Sequence, residues 1–196
     1  MRKLLILASV FILISCNKKH NPRILISTQL GGIEAEIFID KAPVTGTNFL
    51  KYVDSGKYNT NACFYRTVRM DNQPGKTVKI EVIQGGFYSD SVIEKIQFPP
   101  IRHETTRETG ILHKDGVLSM ARNEPGTASS EFFICIGDQP ALDFGGKRNP
   151  DGQGFAAFGK VIIGLDVVRK IQQLKDKDQY LENPVKIIGI KRVKND

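Results

Sequence analysis

The sequence predicts one mainly β domain of eight strands, forming a closed barrel or a sandwich, with two α-helices. Three observations carry this reading. Apolar residues alternate with period two through most of the chain after residue 22, clusters of Gly, Pro, Asn and Asp separate the alternating runs, and only two segments place apolar residues at three-to-four spacing. The length of 196 residues, with 40% hydrophobic and 25% charged side chains, suits a single domain with a sizeable core and excludes collagen-like, disordered and many-domain chains.

The elements follow in order. Ile24, Ile26 and Thr28 share one face, as do Ile33, Ala35, Ile37 and Ile39, and Gly31-Gly32 joins the two runs into a β-hairpin. The first helix is expected near Pro43, whose fixed φ suits an opening turn; it buries Val44, Phe49, Tyr52 and Val53 and stops before Gly56. Strand-like runs recur at Ala62 to Val68, Val78 to Gln84, Gly116 to Ala121, Glu131 to Ile136, Ala156 to Ile162 and Val185 to Val193. The second helix is expected from Leu165 to Lys175, with Leu165, Val168, Ile171 and Leu174 as its apolar stripe. Long irregular connections lie at Gly85 to Lys114 and Gly137 to Gly154, where function often resides.

The first fifteen residues stand apart. Arg2 and Lys3 precede an apolar or small run from Leu4 to Ser15 that is too short to span a bilayer, so residues 1–15 read as a signal peptide. Leu13-Ile14-Ser15-Cys16 resembles the bacterial lipobox, which implies lipid attachment at Cys16, a short tether over residues 16–22 and a folded domain over 23–196. That places the domain in the bacterial cell envelope, outside the cytoplasm and on a membrane. An ordinary signal peptide with a chance cysteine is the alternative.

Without Arg2 and Lys3, 26 Lys and Arg face 21 Asp and Glu, and the formal charge falls from +7 to +5. The excess is diffuse, with no basic helix and no aromatic interleaving, so no nucleic-acid partner is expected. Cys63 and Cys135 each lie in an apolar run and read as buried free thiols, although export would permit oxidation. His20, His103 and His113 lack partners at metal-ligand spacing, so no metal site is assigned.

Several motifs mislead. Gly154 to Lys160 fits the opening of a phosphate-binding loop, but Val161 stands where a hydroxyl is needed and the stretch is strand-like. Ser119, Ser129 and Ser130 have no elbow motif around them and no histidine placed as a base, so hydrolase chemistry lacks its parts.

A set of ordered phrases covering most of the chain resembles the cyclophilin family of peptidyl-prolyl isomerases. They are Ala42-Pro43-Val44-Thr45-Gly46-Thr47-Asn48-Phe49, Phe64-Tyr65-Arg66, Gln84-Gly85-Gly86, Gly116 to Arg122, Ala128 to Ile134 and Phe158-Gly159-Lys160. The resemblance implies a closed eight-stranded antiparallel β-barrel capped by two α-helices. It implies an enzyme that rotates X-Pro bonds of exported or surface polypeptides, assisting their folding, as a monomer and without cofactor. Arg66 is then the catalytic cation, Phe133 and Leu142 line the proline cleft, Ala121 and Arg122 lie along the peptide groove, and Gln84 bonds near Arg66.

Alternation agrees with these roles, since Phe64 with Arg66, Val82 with Gln84, and Glu131 with Phe133 are each two apart and so share a face. The departures from the family are equally specific. An insertion centred on Asp71-Asn72-Gln73-Pro74-Gly75 reads as an extended hairpin tip beside the site. Val82 and its neighbours replace an aromatic and a methionine, Ala141 replaces a tryptophan, and Phe155 stands where histidine is frequent. Glu131 replaces a glutamine; a carboxylate only accepts hydrogen bonds, and it is expected to pair with Arg66 or Arg122. These changes leave open a second reading, a proline-peptide-binding or chaperone module with weak or no turnover.

Overall fold

The computed structural model describes residues 21–194; the expected signal peptide over residues 1–15 and Cys16 lie outside the described residues. The strands are β1 Arg23–Thr28, β2 Gly31–Ile37, β3 Cys63–Val68, β4 Val82–Gly86, β5 Val117–Met120, β6 Phe132–Cys135, β7 Ala156–Ile163, β8 Asp176–Lys177 and β9 Tyr180–Val193. They pair antiparallel in the order β1-β2-β7-β5-β6-β4-β3-β9, and β9 returns to β1. Eight strands therefore close a barrel, which removes the free edges that a sandwich would leave. The ninth, β8, is a two-residue partner of β9 alone and was not expected.

Alternation filled the barrel as anticipated. Ile24, Ile26, Ile33, Ala35 and Ile37 are fully buried, and with Phe64, Ile83, Leu118, Phe132, Ile134 and Phe158 they form one continuous core. The hairpin differs in detail: Gln29 and Leu30 make the two-residue turn and Gly31-Gly32 opens β2, because Thr28 pairs with Gly31. Thr28 Oγ1 stabilises the turn by donating to Gly31 O at 2.8 Å and accepting from Leu30 N.

Helix α1 spans Pro43–Asp54 with Pro at its start, as read from sequence. Its free amides are satisfied from a distance: Glu104, 2% exposed, accepts from Val44 N at 3.2 Å, Thr45 N at 2.7 Å and Thr45 Oγ1 at 2.7 Å. A carboxylate there also meets the positive end of the helix. Phe49 then packs its ring 5.3 Å from Phe132 and 5.0 Å from Phe158, while Val44 is only half-buried.

The second helix expected, here α5, runs Leu165–Gln172 and ends before Lys175 because the chain turns into β8. Three short helices were missed: α2 Tyr58–Asn61, α3 Asp90–Ile96 and α4 Thr106–Thr109. None is long enough to display a repeated stripe, and α4 is held by a capping box between Thr105 and Glu108. A 3-10 turn at Pro140–Leu142 adds order to the other long connection.

The expected strand from Val78 begins only at Val82, so the insertion is an irregular loop and not a lengthened hairpin. Gln73, 1% exposed, replaces the missing ladder: its Nε2 donates to Arg69 O and Ile80 O and its Oε1 accepts from Ile80 N. Arg69 and Asn72 tie the loop to Asp176 at the start of β8.

Candidate functional site

Residues that the sequence set far apart meet at one cleft of about 960 Å³ on the outside of the barrel wall. Arg66, Val82, Gln84, Ala121, Arg122, Glu131, Phe133, Leu142 and Phe155 all line it. Each is delivered by β3, β4, β6, the segment after β5, or the loop before β7.

A bulge in β3 sets the key geometry. The β3–β4 register shifts between Phe64 and Arg66, leaving Tyr65 as the extra residue. Phe64 and Arg66 therefore do not share a face as strict alternation required. Phe64 enters the barrel core, while Tyr65 and Arg66 both reach the cleft. Val82 with Gln84 and Glu131 with Phe133 do lie together on the cleft side.

The Arg66 guanidinium is fixed from two sides. Its Nη1 donates to Gln84 Oε1 at 2.9 Å, and Nε donates to Gln179 Oε1 at 3.2 Å, with Nη2 on the same oxygen. Gln179 sits at φ 74, a backbone state unusual for a non-glycine residue, and its Nε2 donates to Asn72 O at 3.1 Å. The insertion thus buttresses Gln179, and Gln179 holds Arg66. Sequence reading missed Gln179 because it lies 113 positions from Arg66 on a two-residue turn that no motif marks.

Beyond Gln84 the chain of bonds continues. Gln84 Nε2 donates to Tyr65 Oη at 2.7 Å and Tyr65 donates to Glu131 Oε2 at 2.8 Å. Glu131 also accepts from Phe87 N at 2.7 Å and Ser130 Oγ at 3.2 Å. It pairs with neither Arg66 nor Arg122, contrary to expectation: its oxygens are turned to Tyr65, Phe87 N and Ser130, while the two guanidiniums are held by Gln84 with Gln179 and by Asp151 with Gly154 O. Burial raises the Glu131 carboxyl above its ordinary range, partly offset by those donors, and burial followed by the Glu131 charge raises Tyr65. Gly86 is required here, since at φ 146 a Cβ would stand 2.3 Å from Glu131 Oε1.

Arg122 lines the cleft but its guanidinium is already engaged. It forks onto both Asp151 oxygens at 2.8 and 3.0 Å and donates to Gly154 O, and its side chain is 1% exposed. Seated 5.2 Å over the Phe155 ring, it braces the loop that carries Leu142 and Phe155.

The apolar end of the cleft is a second hydrophobic cluster of Val68, Ile80, Val82, Phe133, Cys135 and Leu142, with Ala121, Ala141 and Phe155 packed against it. Phe133 and Phe155 meet edge to face at 5.2 Å. Ile80 and Arg148 also line the cleft, and Arg148 is tied to the insertion loop: its Nη1 donates to Gln73 Oε1 at 3.1 Å and Val78 O at 2.7 Å. Both cysteines among the described residues, Cys63 and Cys135, are free, and burial lifts the half-buried Cys63 thiol to about 11.

One expectation about chemistry is overturned. A histidine does stand beside a serine: His113 Nε2 lies 3.0 Å from Ser119 Oγ, and His113 Nδ1 lies 2.7 Å from Asp143 Oδ1. Ser119 and His113 are 0% and 1% exposed, so the serine and histidine are sealed behind Phe133, against which His113 stacks at 6.0 Å, while Asp143 reaches them from the partly exposed edge. The arrangement braces the wall and offers no face to a substrate.

Comparisons with known proteins show the family and the fold. A family model described as cyclophilin type peptidyl-prolyl cis-trans isomerase/CLD matches residues 23–194. The chain belongs to this cyclophilin-type isomerase family. It is 36% identical over 174 residues to peptidyl-prolyl cis-trans isomerase A of Dickeya dadantii, covering 87% of this chain and 83% of that protein. It is 34% identical over 185 residues to a peptidyl-prolyl cis-trans isomerase of Acinetobacter baylyi, covering 91% and 89%. A cyclophilin-type isomerase structure from Cryptosporidium parvum shares the fold with a TM-score of 0.71, 23% identity, and coverage of 90% of this chain and all of that one.

Proposed function

We propose that this cyclophilin-type isomerase turns X-Pro bonds at Arg66, with the proline ring held by Val82, Ala121, Phe133, Leu142 and Phe155. The observation that supports this most is the Arg66 guanidinium, pinned by Gln84 and Gln179 beside an apolar pocket on a shared cleft. Twisting the amide breaks resonance against a barrier of ~18 to 20 kcal/mol, and the nitrogen regains a lone pair that a fixed cation can hydrogen-bond. Bringing a process of tens of seconds to the millisecond range needs roughly 7 kcal/mol of preferential transition-state stabilisation. One charge-assisted bond contributes about 1.5 to 3 kcal/mol, so the apolar pocket must supply the rest by desolvating and orienting the bond.

Replacing Arg66 by Ala is expected to lower kcat/KM on a proline peptide about ten- to hundredfold while peptide binding persists. Unchanged turnover would remove Arg66 from the mechanism; peptide binding by the parent with no rate enhancement would instead mark a proline-peptide-binding module.

The proposal extends to location. The Leu13-Ile14-Ser15-Cys16 leader supports a lipid-anchored protein in the cell envelope whose clients are exported or surface polypeptides. Cys16→Ser is expected to shift the protein from the membrane pellet to the soluble fraction, and continued pelleting would refute the anchor.

A further inference from the structure

Beyond the proline pocket, three tyrosines form a stacked shelf on the same cleft. Tyr65 comes from the β3 bulge, Tyr88 from the segment after β4 and Tyr180 from the start of β9. The Tyr65 and Tyr88 rings stack 4.8 Å apart at 29°, Tyr65 and Tyr180 lie 6.5 Å apart at 16°, and Tyr88 and Tyr180 lie 6.2 Å apart. All three line the cavity that contains Arg66.

Their exposures differ in a telling way. Tyr65 is 7% exposed and forms the floor, while Tyr88 at 48% and Tyr180 at 49% leave ring surface open to solvent. A single exposed aromatic needs no explanation, but three in mutual contact beside a fixed arginine do. The backbone holds the Tyr88 ring in place at a cost, since Tyr88 has φ 64, an outlier for a bulky residue, while Tyr180 is set by the tight Asp178-Gln179 turn between β8 and β9. Such strain persists where the surroundings enforce it and concentrates at ligand clamps. The floor ring is oriented by the chain that orients Arg66, since Tyr65 Oη joins Gln84 to Glu131.

We infer that this shelf is a client subsite for an aromatic side chain flanking the X-Pro bond on the same polypeptide. The inference rests on the cleft being the X-Pro site proposed above. The occupant follows from continuity: a polypeptide whose proline sits by Phe133 and whose amide meets Arg66 must leave the cleft along its walls, and one wall is the tyrosine shelf. Open tyrosine faces bind a further ring by offset or edge contacts and discriminate poorly among aliphatic side chains. The subsite therefore favours Phe, Tyr or Trp in the client.

The test walks a phenylalanine through the positions on either side of Ala-Pro in otherwise alanine peptides and measures isomerisation by NMR exchange with the purified protein. One position is expected to raise kcat/KM about two- to twelvefold over the all-alanine peptide, the range of a ring–ring contact. The ratio should fall to one in a Tyr88→Gly, Tyr180→Ser double variant, in which glycine adopts the φ of residue 88 without strain. A ratio of one at every position in the parent overturns the subsite, as does a ratio that survives in the variant. Should the parent turn over neither peptide, the isomerase reading fails by itself. The shelf is then judged by the dissociation constants of the same peptides, where equal values for phenylalanine and alanine refute it.

Discussion

Two polar networks run along the same barrel wall and differ in what covers them. Gln84, Phe133 and Ser119 are register partners in one row across β4, β6 and β5. On one side of Phe133, Gln84 joins Tyr65, Glu131, Arg66 and Gln179 and opens onto the cleft. On the other, Ser119, His113 and Asp143 hold the residue types and contacts of a nucleophilic triad, yet Ser119 and His113 are buried beneath the loop that carries Leu142 and Asp143. The difference teaches that access, not residue chemistry, separates a working site from a structural brace. The sealed network should govern stability and the open one should govern rate.

The largest effect expected in testing this contrast is on the sealed side. His113→Ala leaves Ser119 Oγ without its partner, reduces Asp143 Oδ1 to its bond from the residue 113 backbone N–H, and opens a cavity behind Phe133, at a cost of about 2 to 4 kcal/mol of unfolding free energy. Denaturant titration measures this directly. The rate constant per folded molecule should change little, and a collapse of turnover at full stability would break the contrast.

Glu131→Gln sharpens the open side with a smaller effect. A glutamine would offer Tyr65 a donor in place of a full acceptor, loosening the chain that ends on Arg66, and about 1 kcal/mol, or a severalfold change, is expected in kcat/KM. The pH response has a definite sign. Burial holds the folded-state pKa of Glu131 above its ordinary 4.5, so protonation favours the native state. That contribution is fully present below pH 4.5 and is lost as pH rises through the folded pKa. The stability of the parent relative to Glu131→Gln should therefore decline from acid to neutral pH, and a flat difference would remove Glu131 from this role.

The same contrast explains what was legible in the sequence. The barrel strands were, because burial on one face imposes period two, and so was the grouping of Val82 with Gln84 and of Glu131 with Phe133 around one cleft. The exchange of Phe64 for Tyr65 was not, since one bulged residue reverses the alternation without changing the pattern of apolar letters. Gln179, Arg148, Tyr88 and Asp143 reach their partners from irregular segments, where no periodicity reports direction. Tyr65 stood within the Phe64-Tyr65-Arg66 phrase, as Ser129 and Ser130 stood within the phrase from Ala128 to Ile134, so these missed cleft residues had a signal in plain sight. The short helices α2 and α4, four residues each, are too brief for a stripe to repeat.

The contrast is tested most directly by measuring unfolding free energy and kcat/KM on the same preparations of Arg66→Ala and His113→Ala. Arg66→Ala should lose rate about ten- to hundredfold with stability nearly intact, while His113→Ala should lose stability with rate per folded molecule nearly intact. Equal losses of rate in both variants, or a stable and fully active Arg66→Ala, would contradict the account.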